Sequence, residues 1–367
     1  MSGRIVLFGA TGYTGELTAR ALVDRGARPV LAARSRARLE ALAADLGGLD
    51  IGVADVANPE SVRALLGRGD VLISTVGPFV RWGAVAAEAA IDAGAHYLDS
   101  TGEPAFIRRV FEDYGPRAEA AGSLMLTAFG FDWVPGNLAG ALALEQAGHE
   151  AARVVISYVV RGTRASGGTA ASMAGALLEP SFAYRGGRLR GERTGARVRA
   201  FDLGDGQRRH GISVGGSEHI TLPALHPQLG EVEVLLGRAG ATTRVVPLLT
   251  GALSLATSLP PIRAAAQSLA RRKAPGSTGG PSGGERAGGS SIVVAEAFSA
   301  SGRGLSRVRL DGPDGYTFTA NILAWGAMGI AKGGIAATGA AGPVQAFGLD
   351  RLAAGAAGAG LNLAPGG

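Results

Sequence analysis

Apolar and polar positions follow two different rhythms along the chain. Up to about residue 135, short β-branched runs alternate with stretches of helical spacing. Arg4–Phe8, Pro29–Ala32, Ile51–Ala54, Val71–Thr75, His96–Asp99 and Leu124–Thr127 read as strands. Between them, Gly15–Arg25 sets Leu17, Ala21 and Leu22 on one helical face, and Arg36–Leu46 does so with Leu39, Leu42, Ala43 and Leu46. Asn58 as cap and Pro59 at the first helical position predict a helix over Pro59–Leu66. Gly83–Ala93 and most of Pro104–Ala121 are further helices. This alternation specifies an α/β domain in which helices cover both faces of a parallel sheet.

Beyond Pro135 the rhythm changes. A helix over Asn137–Gln146 is followed by β-rich pieces at Arg153–Arg161, Arg197–Asp202, Gln207–Ser213, Val232–Leu236, Ile292–Ala300 and Leu305–Leu310. Thr169–Glu179, Pro247–Ser258 and Tyr316–Gly329 have helical spacing. Ala274–Ser291, rich in Gly, Ser and Pro, is expected to be a mobile loop. This half reads as a second α+β domain containing an antiparallel sheet, whose edge strands would serve a homodimer. No internal repeat is evident.

Composition narrows the chemistry. The 367 residues include 60 Gly, 17 Pro and no Cys, with aromatics at only 5%. The core must therefore be aliphatic and alanine-based. The absence of Cys excludes disulfide scaffolds, thiolate catalysis, iron–sulfur clusters and cysteine-ligated zinc, and it fits a reducing, cytoplasmic setting. His96, His149, His210, His219 and His226 lack the i, i+4 spacing of a metal site, so no metal is expected. The formal charge is +6, and Lys occurs only at Lys273 and Lys332, so the basic residues are nearly all Arg. They are dispersed apart from Arg271, Arg272 and Lys273, and no nucleic-acid-binding motif accompanies them. Codon bias toward Arg, Ala and Gly explains the surplus without a nucleic-acid partner. No signal-peptide core is visible at the N-terminus. The uncharged stretches Val245–Ile262 and Gly333–Leu349 are interrupted by proline, so no stable membrane insertion is expected.

Gly9-Ala10-Thr11-Gly12-Tyr13-Thr14-Gly15 lies between the first strand and the first helix. In a dinucleotide site the first glycine makes the tight turn, the second lets backbone approach the pyrophosphate, and the third lets the helix pack on the sheet with its positive end toward phosphate. An acid at the end of the second strand, about 20 residues past the last glycine, marks NAD. Here that place holds Arg34, with Ser35, Arg36 and Arg38 beyond. A guanidinium pairs a 2′-phosphate in a fork where an acid would repel it, which predicts NADP(H). Asp55, after the third strand, is placed either to touch adenine or to cap a helix. Thr75, Val76, Gly77, Pro78 and Phe79 follow the fourth strand and are expected beside the nicotinamide ribose, because loops at the carboxyl ends of strands line the crevice. The chain thus divides into an NADP-binding Rossmann-type domain (1–135), an α+β substrate or dimerisation domain (136–320), and a C-terminal helical segment (321–367) packing back on the first domain.

Gly9–Gly15 (GATGYTG), Ala33–Ser35, Thr75–Phe79 (TVGPF), Tyr97–Glu103 (YLDSTGE) and Gly130–Gly136 (GFDWVPG), in this order, resemble the saccharopine-dehydrogenase-like NADP-binding family, including the mycobacterial trans-acting enoyl reductases. Ser166–Thr169 (SGGT), Gly280–Pro281 with Glu285–Arg286, Gly315–Thr319 (GYTFT) and Gly333–Gly334 extend the resemblance over nearly the whole chain, more weakly. Trp133 and Gly136 stand where small or acidic residues are more usual, and the loop before Glu285 is unusually glycine-rich. The resemblance implies hydride chemistry with NADPH. Enoyl reductases of this kind saturate a carbon–carbon double bond in a lipid or polyketide chain, usually carried on a protein or coenzyme A. Saccharopine-type relatives reduce an imine or oxidise an amine.

Either reaction needs a proton as well as a hydride. Tyr97, Asp99, Thr101 and Glu103 lie at or past one strand's carboxyl end, and Asp132 follows the next strand. Tyr97, Asp99, Glu103 and Asp132 are the catalytic candidates, a carboxyl raised by burial being a suitable donor. Each has a plainer alternative: core packing for Tyr97, helix capping or loop bracing for Asp99 and Glu103, and a domain-hinge anchor for Asp132. Thr101, Phe131 and Trp133, with Phe79, are candidates for the substrate wall. An α-amino dicarboxylate would need fixed cations, for which Arg161, Arg164 and Arg185 are available. A non-catalytic NADP sensor is the reading outside enzymology.

Overall fold

The computed structural model describes residues 3–162, 164–176, 179–204, 206, 208–238 and 279–364. The first region runs β1 (Ile5–Phe8), α1 (Tyr13–Asp24), β2 (Val30–Ala33), α2 (Arg36–Asp45), β3 (Ile51–Val53), α3 (Pro59–Arg63), β4 (Val71–Ser74), α4 (Phe79–Ala93), β5 (His96–Asp99), α5 (Pro104–Arg109), α6 (Gly115–Ala121) and β6 (Leu124–Leu126). The strands pair in parallel in the order β6-β5-β4-β1-β2-β3. Every residue of β1 and β4 is buried, as expected of central parallel strands covered on both faces. The period of two sorts their side chains. Leu7, Ile73 and Leu98 enter one apolar layer, while Val6, Phe8, Leu72 and Tyr97 enter the other, beneath α4 and α5.

Two helix starts differ from the sequence expectation. Asn58 precedes α3 but makes no side-chain cap; the Ser61 hydroxyl instead donates to the Asn58 carbonyl at 2.6 Å. Helix α4 begins at Phe79, four residues before the expected Gly83. Its first amides are capped by Glu103, which is distant in sequence and invisible to any local capping pattern.

The second region contains α7 (Val134–Ala147), β7 (Ala151–Arg161), α8 (Gly167–Ala176), β8 (Phe182–Arg185), β9 (Arg188–Gly191), β10 (Val198–Asp202), β11 (Arg208–Ser213), α9 (Glu218–Leu225), β12 (Glu231–Arg238), α10 (Gly283–Ala287), β13 (Ser290–Ser299), β14 (Gly304–Pro313) and α11 (Gly315–Ala331). Its sheet is mixed: most neighbours are antiparallel, but β12 and β7 pair in parallel, Val234 opposite Ile156. The β8–β9 hairpin and α9 carry no clear periodic signal, and Pro223 interrupts α9.

The expected loop Ala274–Ser291 is ordered where it is described. Residues 279–289 include α10, closed by a capping box between Ser282 and Glu285, and β13 starts at Ser290. The S-x-x-E spacing was present in the sequence. The expected helix Pro247–Ser258, the wider stretch Val245–Ile262 and residues 274–278 lie outside the described residues. After residue 320 the chain returns to the first region. Helix α11 packs against α1, and β15 (Gly339–Ala340) joins the parallel sheet beside β6. Among the described residues, no helix is long and apolar enough to cross a membrane.

Candidate active site

The glycine-rich turn leaves β1 at Gly9, whose φ of +91° favours glycine and whose amide donates to the Ala32 carbonyl at 2.8 Å. A Cβ at Gly15 would stand 2.1 Å from the Gly9 carbonyl oxygen, so α1 approaches the strand only because that residue is glycine. Gly12 is the N-cap of α1 and supplies no side-chain cap, which leaves the first turn without a side-chain acceptor. An uncapped helix start behind a glycine cradle is suited to a pyrophosphate. Ala10 is fully buried at the base of the turn, and the Thr14 carbonyl accepts from Thr18 Oγ1. Thr75 Oγ1 lies 3.2 Å from both the Phe8 and Gly9 carbonyls and ties the end of β4 to the cradle.

The second strand ends in a basic rim. Arg34 is exposed and makes no hydrogen bond among the described residues. Ser35 caps α2 by accepting from the Arg38 amide, and Arg38 Nη2 donates to the Thr11 carbonyl at 2.5 Å. Arg36 faces Glu40 instead. Asp55 Oδ1 accepts from the Ala57 amide at 2.9 Å and closes the turn after β3. No acid stands at the Arg34 position, so the residues present fit a dinucleotide carrying a 2′-phosphate.

The candidate acids separate clearly. Tyr97 lies wholly inside the apolar layer beneath α4 and α5, where burial pushes its phenol well above the ordinary value, with the neighbouring Asp99 carboxylate adding to the rise. Asp99 is also fully buried. Its Oδ1 accepts from the amides of Thr101 (2.9 Å) and Ala128 (2.8 Å), and Oδ2 accepts from Thr127 Oγ1 (2.9 Å). Burial raises its carboxyl to about 6, and those amides hold the rise back. Buried Thr101 accepts from the Glu103 amide at 3.1 Å. Glu103 accepts from the amides of Phe79 and Val80, both at 2.8 Å, and from Ser172 Oγ of α8 at 2.7 Å. It therefore anchors the 76–80 loop to the second region. Phe79 heads α4 with its ring against Phe106, while Val76, Gly77 and Pro78 remain half-buried in the loop.

Asp132 stands apart, at the passage from β6 into α7. Its carboxylate is half-buried, makes no hydrogen bond among the described residues, and is raised to about 6 by burial. It lies beside Gly102, where a Cβ would come 2.8 Å from Oδ2, and so next to Glu103 and the loop that Glu103 anchors. Phe131 and Trp133 flank it. Both rings meet Tyr158 edge-on, at 5.7 and 5.3 Å between centroids, and Trp133 is buried.

A model of the saccharopine dehydrogenase NADP binding domain matches residues 5–126. Residues 5–126 are an NADP-binding domain of the saccharopine dehydrogenase type. The cofactor of this domain is NADP(H), in agreement with Arg34 at the end of β2. A relative from Mycobacterium tuberculosis, provisionally named a trans-acting enoyl reductase, is 39% identical over 180 residues, covering 46% of this chain and 43% of the relative. The trans-acting enoyl reductase of Mycobacterium leprae is 41% identical over 140 residues, covering 36% of this chain and 34% of the relative. The matches thus span less than half of those curated relatives. Apo saccharopine dehydrogenase (L-Glu forming) from Saccharomyces cerevisiae superposes with a TM-score of 0.59 over 96% of both chains at 12% identity. The NADP-binding domain and the second region together therefore have the saccharopine dehydrogenase fold.

One group beside the NADP-binding domain escaped the sequence reading. Tyr158 of β7 donates to Glu218 Oε1 at 2.7 Å and accepts from the Gly136 amide at 2.7 Å. Glu218 is fully buried, its Oε2 has no hydrogen-bond partner, and burial pushes its carboxyl to about 8, with repulsion from Asp132 adding to the rise. The missed signal was chemical rather than periodic: an acid inside the apolar stretch Glu218–Leu225.

Proposed function

We propose that the protein is an NADPH-dependent reductase acting on an unsaturated acyl or polyketide-like chain, free or carrier-bound, with Asp132 as proton donor. The observation that carries this reading is Asp132 itself. Its carboxyl is raised by burial, uncommitted to any protein donor among the described residues, and adjacent to the loop anchored by Glu103. A carboxyl near 6 is still about one-tenth protonated at pH 7, far more than an ordinary aspartic acid, and can give that proton to a reacting carbon or heteroatom. The bound cofactor supplies the hydride. Glu103 holds the 76–80 loop in place, and Phe131 and Trp133, buried against Tyr158, fix the backbone on either side of Asp132.

Imine or amine chemistry of the saccharopine type is the second reading, favoured by the whole-chain fold. Against it, two of the cations suited to an amino dicarboxylate are already committed: Arg164 pairs with Glu285 at 3.1 Å, and Arg185 pairs with Glu231 at 3.0 Å. Stopped-flow NADPH oxidation with an enoyl thioester, a carrier-bound enoyl chain and an imine panel tests the assignment. Turnover of an enoyl substrate supports it. Turnover of imines alone moves the protein to the second reading, and tight NADPH binding without any turnover makes it a sensor. Cofactor choice is read from Arg34→Asp, which should raise the Michaelis constant for NADPH far more than that for NADH.

A further inference from the structure

Two stretches of the second region, Gly280–Arg286 and Tyr316, meet at one aromatic side chain of the glycine-rich turn, and a third, Arg164–Thr169, braces both. Tyr13 follows Gly12 and is the first residue of α1. Its hydroxyl donates to the Pro281 carbonyl at 2.5 Å and accepts from Arg286 Nη1 at 3.0 Å, and the same nitrogen donates to the Pro281 carbonyl at 3.0 Å. The Tyr13 ring meets Tyr316 edge-on at 5.1 Å, and a Cβ at Gly280 would come 2.6 Å from it. Tyr316 is held in turn, its hydroxyl accepting from the Ser166 amide (2.6 Å) and donating to Thr169 Oγ1 (2.9 Å). From the other side, Arg164 pairs with Glu285 and donates to the Gly280 carbonyl at 3.1 Å. The strap 279–288 is thus fixed against Tyr13, at the start of the helix that follows the glycine cradle. Arg286 is half-buried there, and its Nε and Nη2 make no hydrogen bond among the described residues. A fixed guanidinium with donors to spare, beside helix amides that lack a side-chain cap, is suited to a phosphate oxygen.

We propose that Arg286, carried by the second region and oriented by Tyr13, closes on the pyrophosphate of the bound dinucleotide, so that cofactor residence depends on contact between the two regions. The proposal rests on NADP(H) binding and deepens it, since no part of the glycine turn supplies this cation. The strap must part from Tyr13 before the cofactor leaves.

The test compares two probes on the full chain: NADPH, and adenosine 2′-monophosphate, which keeps the 2′-phosphate but lacks both phosphates of the pyrophosphate. NADPH release is followed by stopped-flow displacement, and both affinities by calorimetry. Arg286→Ala should speed NADPH release at least about tenfold, the usual loss for a charge-assisted hydrogen bond, while affinity for the 2′-monophosphate stays unchanged. Arg286→Lys should fall between, because an ammonium keeps the charge but not the fork. Tyr13→Phe should also speed release, since it frees the guanidinium from its guide. Unchanged NADPH release in Arg286→Ala, or equal weakening of both probes, would overturn the proposal. Failure of the unaltered protein to bind either probe would instead remove the NADP reading beneath it.

Discussion

Asp99 and Asp132 are both acids whose carboxyls burial pushes up to about 6, yet their surroundings differ completely. On the wall made by the NADP-binding domain, Asp99 and Glu103 each accept three hydrogen bonds, which brace the turns after β5 and β6, the start of α4 and, through Ser172, the second region. Where that domain passes into the second region, Asp132 accepts none among the described residues, and neighbouring Glu218 leaves Oε2 unpartnered. The shift alone does not separate a brace from a proton donor; the list of partners does. A carboxylate whose lone pairs are taken holds the backbone in place. One left without donors is raised toward neutrality and, while protonated, remains available to a substrate.

The comparison can be broken by substitution. The largest stability effect is expected at Glu103. Glu103→Ala strips the amides of Phe79 and Val80 of their acceptor and frees Ser172, which should cost about 3 kcal/mol in urea unfolding. A loss under about 1 kcal/mol would mean that the wall does not depend on its acids.

Glu218→Gln should act in the opposite sense and only in part of the pH range. The folded chain keeps a proton on Glu218 up to about 8, while the unfolded chain gives it up near the ordinary value of 4.5. Proton binding thus favours the folded state at low pH, and this stability is lost as pH rises through that window. Glutamine does not titrate, so the decline between pH 6 and pH 8 should shrink by about 2 kcal/mol. An unaltered pH slope would show that Glu218 is already ionised.

The smallest effect is expected at Tyr97. Its hydroxyl is buried beside Asp99, whose oxygens already accept three shorter bonds, so Tyr97→Phe should leave turnover intact and change stability by no more than about 1 kcal/mol. A large loss of turnover would return Tyr97 to the list of donors.

These contrasts also explain what was legible in the sequence. The parallel sheet was readable because β1 to β6 each carry a short apolar run bounded by turn residues, and the GATGYTG turn marks its own place between strand and helix. The early start of α4 was not readable, because its cap is Glu103, reached through the fold rather than along the chain. The polarity of the second sheet was partly hidden, since the pairing of β12 beside β7 depends on a long connection and not on local pattern. Asp99, Glu103 and Asp132 could all be named from their places after strands. Which one lacks partners depended on Thr127, Ala128, Phe79, Val80 and Ser172 arriving from elsewhere. Glu218, and a role for Arg286, became visible only when distant segments met at Tyr158 and at Tyr13.

The most direct measurement is single-turnover reduction of an enoyl substrate by the NADPH-loaded protein, compared with Asp132→Asn across pH. The unaltered protein should slow as pH rises through about 6, where the donor loses its proton. Asp132→Asn should be slower by about a hundredfold, with that pH dependence abolished and NADPH affinity unchanged. Full turnover by Asp132→Asn with the same pH profile would contradict the assignment of Asp132 as the donor.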